Sequence, residues 1–139
     1  MYNVNNLMID LESMGKKPNA PIVSIGAVFF DPQSGELGQE FYTAVNLESA
    51  MEQGAVPDGD TILWWLRQSS EARSAICVDD AMPISSALSE LSYFINRHSD
   101  NPKYLKVWAM ELLSTTLYCA EHMSVPARVA RGNFGMITT

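Results

Sequence analysis

The chain has 139 residues, 47% of them apolar and 18% charged, which is room for one domain with a buried core. Its net charge of −7 is the wrong sign for a general nucleic-acid coat, and does not exclude a protein that holds cations between carboxylates and phosphates. No apolar run nears the roughly 20 residues that cross a bilayer, and MYNVNNLMIDLE has neither a basic region nor a signal-type stretch, so a cytoplasmic protein without a membrane partner is expected.

Leu7 to Glu12 reads as a first strand, and MGKKPNA (14–20) as a wet loop. PIVSIGAVFF (21–30) has the β-branched and aromatic composition of a second strand, with Pro21 at its start. DPQSGELG (31–38) is turn chemistry, and QEFYTAVNL (39–47) reads as a third strand antiparallel to the second. The period then changes. Asp60 is the expected N-cap of DTILWWLRQS (60–69), whose Ile62, Leu63, Trp65 and Leu66 form an apolar stripe at helical spacing. SEARSAI (70–76) predicts a short helix. Pro83 opens a longer one, ISSALSELSYFINRH (84–98), with Ala87, Leu88, Leu91, Phe94 and Ile95 on one face. SDNP (99–102) ends it, and KYLKVW (103–108) reads as a fourth strand. An antiparallel meander followed by a helical crossover to another strand predicts an α/β fold, a mixed sheet with helices packed on it.

The first strand carries the chemistry. Asp10 and Glu12 are two apart, so they share a face, roughly 7 Å from each other along the strand. Two such carboxylates repel and resist desolvation. A hard divalent cation removes both problems. Spacing alone also fits a solvated strand end. The apolar residues before the pair, Gly15 after it and the second strand with Gly26 favour the metal reading.

LMIDLESMGKKPNAPIVSIGAVFFDPQSGELG, DTILWWLRQSSEARSAI and Val107-Trp108 together resemble the phage and prophage 3′–5′ exonucleases called exodeoxyribonuclease VIII. Those enzymes belong to the DEDD group of the ribonuclease H-like superfamily. The resemblance implies a ribonuclease H-like mixed sheet, an antiparallel three-strand meander plus a parallel strand with flanking helices. It also implies release of nucleotides from a nucleic-acid 3′ end by a two-metal mechanism using Mg²⁺ or Mn²⁺. By that label DNA is the expected substrate more than RNA. Carried to this chain, Asp10 would bridge both metals and Glu12 would bind one. Main chain at Leu11 and Ser13 would face the terminal nucleotide, and Ile22 and Ile25 would pack beneath its base. Trp64 and Trp65 admit a base-stacking reading, but their helix needs a packed face, which favours core. Lys16 and Lys17 admit phosphate contact, with a solvated loop as the simpler reading.

The resembled family carries two further aspartates, one in a segment near Val-Trp-Gly-Asn-Gly-Ala-x-Phe-Asp-Asn. No aspartate follows Asp100 in this chain. A codon argument offers a cause. Ala109-Met110-Glu111 is GCN-ATG-GAR, and one restored G gives GGC-NAT-GGA, which reads Gly-Asn-Gly when the free base is A. Downstream codons permit Phe-Asp-Asn over Leu113–Thr116, and Met136-Ile137 forces an Asp codon. Residues 1–108 are therefore expected to be the N-terminal part of an exonuclease domain, and 109–139 an out-of-frame tail that leaves the fold incomplete at its C-terminus. A helix is expected over 111–123, a loosely attached segment over 128–139, and exposed apolar surface that promotes self-association.

Cys77, Cys119, His98 and His122 have no ligand-type spacing and are expected to be free thiols and ordinary surface or packing residues. The functional reading is a metal-dependent 3′–5′ exonuclease crippled by the loss of two of four acids. The alternatives are a non-catalytic prophage remnant that binds metal or nucleic acid weakly or self-associates, and an acidic structural domain that happens to keep Asp10 and Glu12.

Overall fold

The computed structural model describes residues 5–109, together with the backbone of two short segments, 129–130 and 135–138. Strands β1 (Asn6–Ser13), β2 (Ile22–Phe30) and β3 (Leu37–Ala44) come first. Helices α1 (Leu47–Glu52), α2 (Gly59–Leu66), α3 (Ser70–Ile76) and α4 (Ile84–His98) lead to β4 (Lys106–Ala109), and β5 (Val129–Ala130) and β6 (Gly135–Thr138) complete the sheet. The strand order is β3-β2-β1-β4-β6-β5. The first three strands are antiparallel neighbours, and β4 returns parallel to β1. This is the mixed sheet expected from the pattern, and the meander plus parallel strand that the resemblance implies, with β1 inside the sheet.

One side of the sheet is packed by α4. Leu7, Ile9, Ile25 and Phe29 meet Ala87, Leu91, Phe94 and Ile95 in a single cluster. The Phe94 ring lies 5.4 Å from Phe29 and 5.5 Å from Phe41, centroid to centroid. The 3.6-residue period of α4 thus meets the two-residue period of β1 and β2. Burying each large side chain here stabilises the fold by about 1.5–3 kcal/mol.

Several boundaries differ from expectation. The third strand ends at Ala44, because the Asn46 side chain accepts a hydrogen bond from the Ser49 N–H and caps α1. The cap of α2 is Asp58, not Asp60, and the Asp58 carboxylate accepts from the Lys16 N–H instead of from its own helix. Of the stripe on α2 only Trp65 is buried; Ile62, Leu63 and Leu66 are exposed, because a helix this short lies against the edge of the packed region. Residues 102–104 form a 3-10 turn, so β4 begins only at Lys106. Gly135–Thr138 was expected to be loosely attached, but pairs antiparallel with β4, which would otherwise offer an open edge. The helix expected over 111–123, with Cys119 and His122, lies outside the described residues.

Candidate metal and nucleotide site

Alternation along β1 builds the site. Leu7, Ile9 and Leu11 point into the α4 side, 0%, 1% and 9% exposed, while Asp10 and Glu12 are exposed on the other side. Register extends this face across the sheet: Asp10 lies opposite Gly26, and Gly26 opposite Tyr42. Glu12 lies opposite Ser24, and Ser24 opposite Ala44. Directly paired residues share a face, so the carboxylates, Gly26 and Tyr42 line one surface. A cavity of about 300 Å³ stands on it, bounded on its far side by Trp65 and by Ala72, Ala75 and Ile76 of α3. A neighbouring groove shares Asp10, Gly26 and Tyr42 and runs past Met8, Val28 and Glu40.

The end of this face is closed by a register shift. Glu12 pairs with Ser24 but Ser13 pairs with Ile22, so Val23 is an extra residue. Val23 packs with Met14 and Trp65 in a small cluster apart from the main core. The Trp65 indole N–H donates to the Ser13 carbonyl at 3.0 Å, which ties α2 to the strand that carries the acids. The Ser13 hydroxyl donates to the Gly15 carbonyl at 2.7 Å.

The loop that follows is fastened to the start of α2. The Asp58 N–H donates to the Met14 carbonyl at 2.9 Å, and the Lys16 N–H donates to Asp58 Oδ2 at 2.7 Å. A Cβ on Gly15 would lie 2.8 Å from the Ala20 Cβ and 3.1 Å from Asp58 Oδ2, so only glycine fits that approach. Lys16 Nζ pairs with Asp60 Oδ2 at 2.6 Å. Their hydrogen bond is the main cause that raises the Lys16 ammonium above its ordinary range and lowers the Asp60 carboxyl below its own.

The expected site residues therefore divide. Asp10 and Glu12 are brought together on an open face. The main chain at Ser13 is present at its end, but the Ser13 carbonyl is already engaged by Trp65. The Leu11 side chain is core. Ile22 and Ile25 are 3% and 0% exposed and belong to the cluster on the opposite side, so neither side chain offers surface to a base. Trp65 is buried at 8% exposure, whereas Trp64 is 52% exposed and does not line the cavity. Lys16 pairs with Asp60 at the surface and does not line the cavity, and Lys17 is exposed in the loop. Gly26 enters the sequence argument only as context for the acids, and Tyr42 and the α3 alanines carry no sequence signal. They converge only through strand register and helix docking, and no local motif marks them.

Two exposed carboxylates on one face fit a hard divalent cation that completes its shell with water and phosphate oxygens. Among the described residues no group of three or more His, Cys, Asp or Glu side chains converges. The segment in which the resembled family keeps its third acid begins just after β4, beyond the continuous described region.

The sheet order, the parallel return beside an acidic inner strand and the flanking helices define a ribonuclease H-like α/β domain of the kind found in exonucleases. Two solved structures share this fold. One is a crystal structure of a full-length 3′-exonuclease, 10% identical with a TM-score of 0.52, the match covering 87% of this chain and 54% of that one. The other is a structure of 3′-end-specific recognition of a histone mRNA stem-loop by a 3′-exonuclease, 11% identical with a TM-score of 0.54, covering 92% and 56%. This chain thus spans little more than half the length of those structures. No match was found among curated proteins. The family model of the Rv2179c-like 3′–5′ exoribonuclease domain matches residues 5–115, and the chain belongs to that family. The matched region ends within the segment expected to be out of frame.

Proposed function

We propose that Asp10 and Glu12 are the cation-holding half of a 3′–5′ exonuclease centre that acts on nucleic-acid 3′ ends, and that hydrolysis by this chain is reduced to a trace. The observation that carries the reading is the placement of both acids on the open face of an inner strand, beside a cavity bounded by α3. Asp10 and Glu12 would hold a Mg²⁺ or Mn²⁺, which would supply positive charge near the scissile phosphate and make water more acidic. The chain's own residues provide the carboxylate oxygens, the floor at Gly26, and the Trp65 and α3 wall that limits water at the cavity. Assignment to the DEDD group, and a prophage origin like that of exodeoxyribonuclease VIII, belong to the same proposal. The family description names RNA, which favours RNA over the DNA expected from the exodeoxyribonuclease resemblance.

Loss of activity follows from the acids. No aspartate follows Asp100 within these 139 residues, where the resembled family carries two further aspartates. Fewer ligands weaken metal occupancy and leave the attacking water unoriented. Residues 109–139 are, on this reading, an out-of-frame tail, and the nucleotide sequence around codon 108 tests that directly. The test of function is Mn²⁺ titration followed by an assay on end-labelled RNA and DNA, each with Asp10→Ala as control. Saturable binding lost in Asp10→Ala, with trace Asp10-dependent release from the 3′ end, is expected. Unchanged binding in Asp10→Ala removes the metal site, and rapid Asp10-dependent hydrolysis removes the claim of impairment. The non-catalytic remnant is the second reading, favoured by the absence of a third converging acid among the described residues. Binding without any hydrolysis selects it.

A further inference from the structure

Gly26 poses a question that the fold does not answer. It sits inside β2, where glycine weakens a strand and often marks a close-approaching ligand. A Cβ there would meet only the Asp10 carbonyl oxygen, at 3.7 Å, an ordinary contact, so packing does not demand glycine. What glycine does is leave an open trough between Asp10 and Tyr42, its partners on either side. At about 4.8 Å per strand the trough is roughly 10 Å across, main chain to main chain. Tyr42 stands at its far edge, 64% exposed, so its ring is open to a ligand in the cavity it lines. The cavity wall includes two small side chains, Ala72 and Ala75, beside Trp65 and Ile76.

We infer that Gly26 and Tyr42 form a nucleobase subsite: the phosphate of a 3′-terminal nucleotide lies at Asp10, its sugar crosses Gly26, and its base stacks on the Tyr42 ring beside the α3 alanines. The inference rests on the proposed 3′-end reading and adds to it the residues that hold the nucleoside. Stacking on a ring is tolerant of base identity, because every base has a π-face. The subsite therefore takes purine and pyrimidine nucleotides alike, and discriminates nucleotides from sugar phosphates.

The test is calorimetric titration of the full chain, in Mn²⁺ buffer, with AMP, UMP and ribose 5-phosphate. Tyr42→Ala is expected to weaken AMP and UMP by roughly five- to 150-fold, the range for loss of one stacked base, and to leave ribose 5-phosphate unchanged. Tyr42→Phe keeps the ring and retains both affinities. Gly26→Val fills the trough and weakens all three probes, while circular dichroism shows a folded protein. Asp10→Ala weakens all three. AMP affinity within twofold of the parent in Tyr42→Ala, with binding still dependent on Asp10, overturns the subsite and leaves the 3′-end reading standing. Absence of any Asp10-dependent binding in the parent overturns both.

Discussion

Single residues differ sharply in how much the structure asks of them. Gly15 has no room for a methyl group between Ala20 and Asp58, so Gly15→Ala should lower the unfolding free energy by about 1–3 kcal/mol, as overpacking does, readable by urea denaturation. Lys16 is the opposite case. Its pair with Asp60 is fully exposed to solvent, and such pairs add little. Lys16→Ala should leave the thermal midpoint unchanged at neutral pH. The pH dependence has a defined sign. The lowered Asp60 carboxyl contributes above the ordinary carboxylate range, and its share fades as pH falls through the folded value. The raised Lys16 ammonium contributes below the ordinary lysine range, and its share fades as pH rises through the folded value. The pair is therefore intact across the neutral window, and differences between Lys16→Ala and the parent should stay small from acid to alkali. Asp10 and Glu12 were legible because a two-residue spacing in an apolar strand has one geometric meaning. Tyr42 was not, because its relation to Asp10 depends on two strand registers that no local pattern encodes. The roles implied for Ile22 and Ile25 fail because both side chains are core: alternation puts Ile25 there, and the extra residue Val23 brings Ile22 to the same side.

Among the elements, α4 was the most readable, since its apolar positions repeat at helical spacing over a stretch that the structure bounds at Ile84 and His98. Phe94 packs against both Phe29 and Phe41, so Phe94→Ala should cost about 3–5 kcal/mol in chemical denaturation. Loss of less than about 1 kcal/mol would mean that α4 is not seated on the sheet as described. Helix α1 is not legible in the sequence, because the strand pattern runs on through Asn46; a short helix has too few turns to show a period, and its cap is its main signal. For α2 the stripe was visible but its use was not. Trp65 is the one residue of that helix that is buried, and its indole reaches the Ser13 carbonyl. Trp65→Phe should lose about 0.5–1.5 kcal/mol from that hydrogen bond, measured against the parent under the same conditions.

At the scale of the molecule, the consequence of a short α2 is surface. Ile62, Leu63, Trp64 and Leu66 are 38%, 52%, 52% and 61% exposed along eight residues, a denser apolar patch than scattered surface leucines make. Self-association through this helix is the expected outcome, visible as a concentration-dependent sedimentation coefficient. The net charge of −7 opposes it, so salt should strengthen it by screening. Leu63→Glu with Leu66→Glu should return the chain to a monomer, and a parent that stays monomeric across the concentration range removes the proposal. The architecture of the sheet was readable from the order of strands and helices, whereas the packing of α2 was not, since burial is decided by what a helix meets. The extra residue Val23 joins these scales. Both flanks of the bulge keep their own register, Asp10 and Glu12 on one flank and Ile22 on the other. Deleting Val23 would shorten the corner without turning any neighbouring side chain over, and yet would unseat the indole that leans on it. The acids would stay where they are and lose the shelter beside them, a way for such a domain to drift from catalyst to bystander while its architecture is preserved.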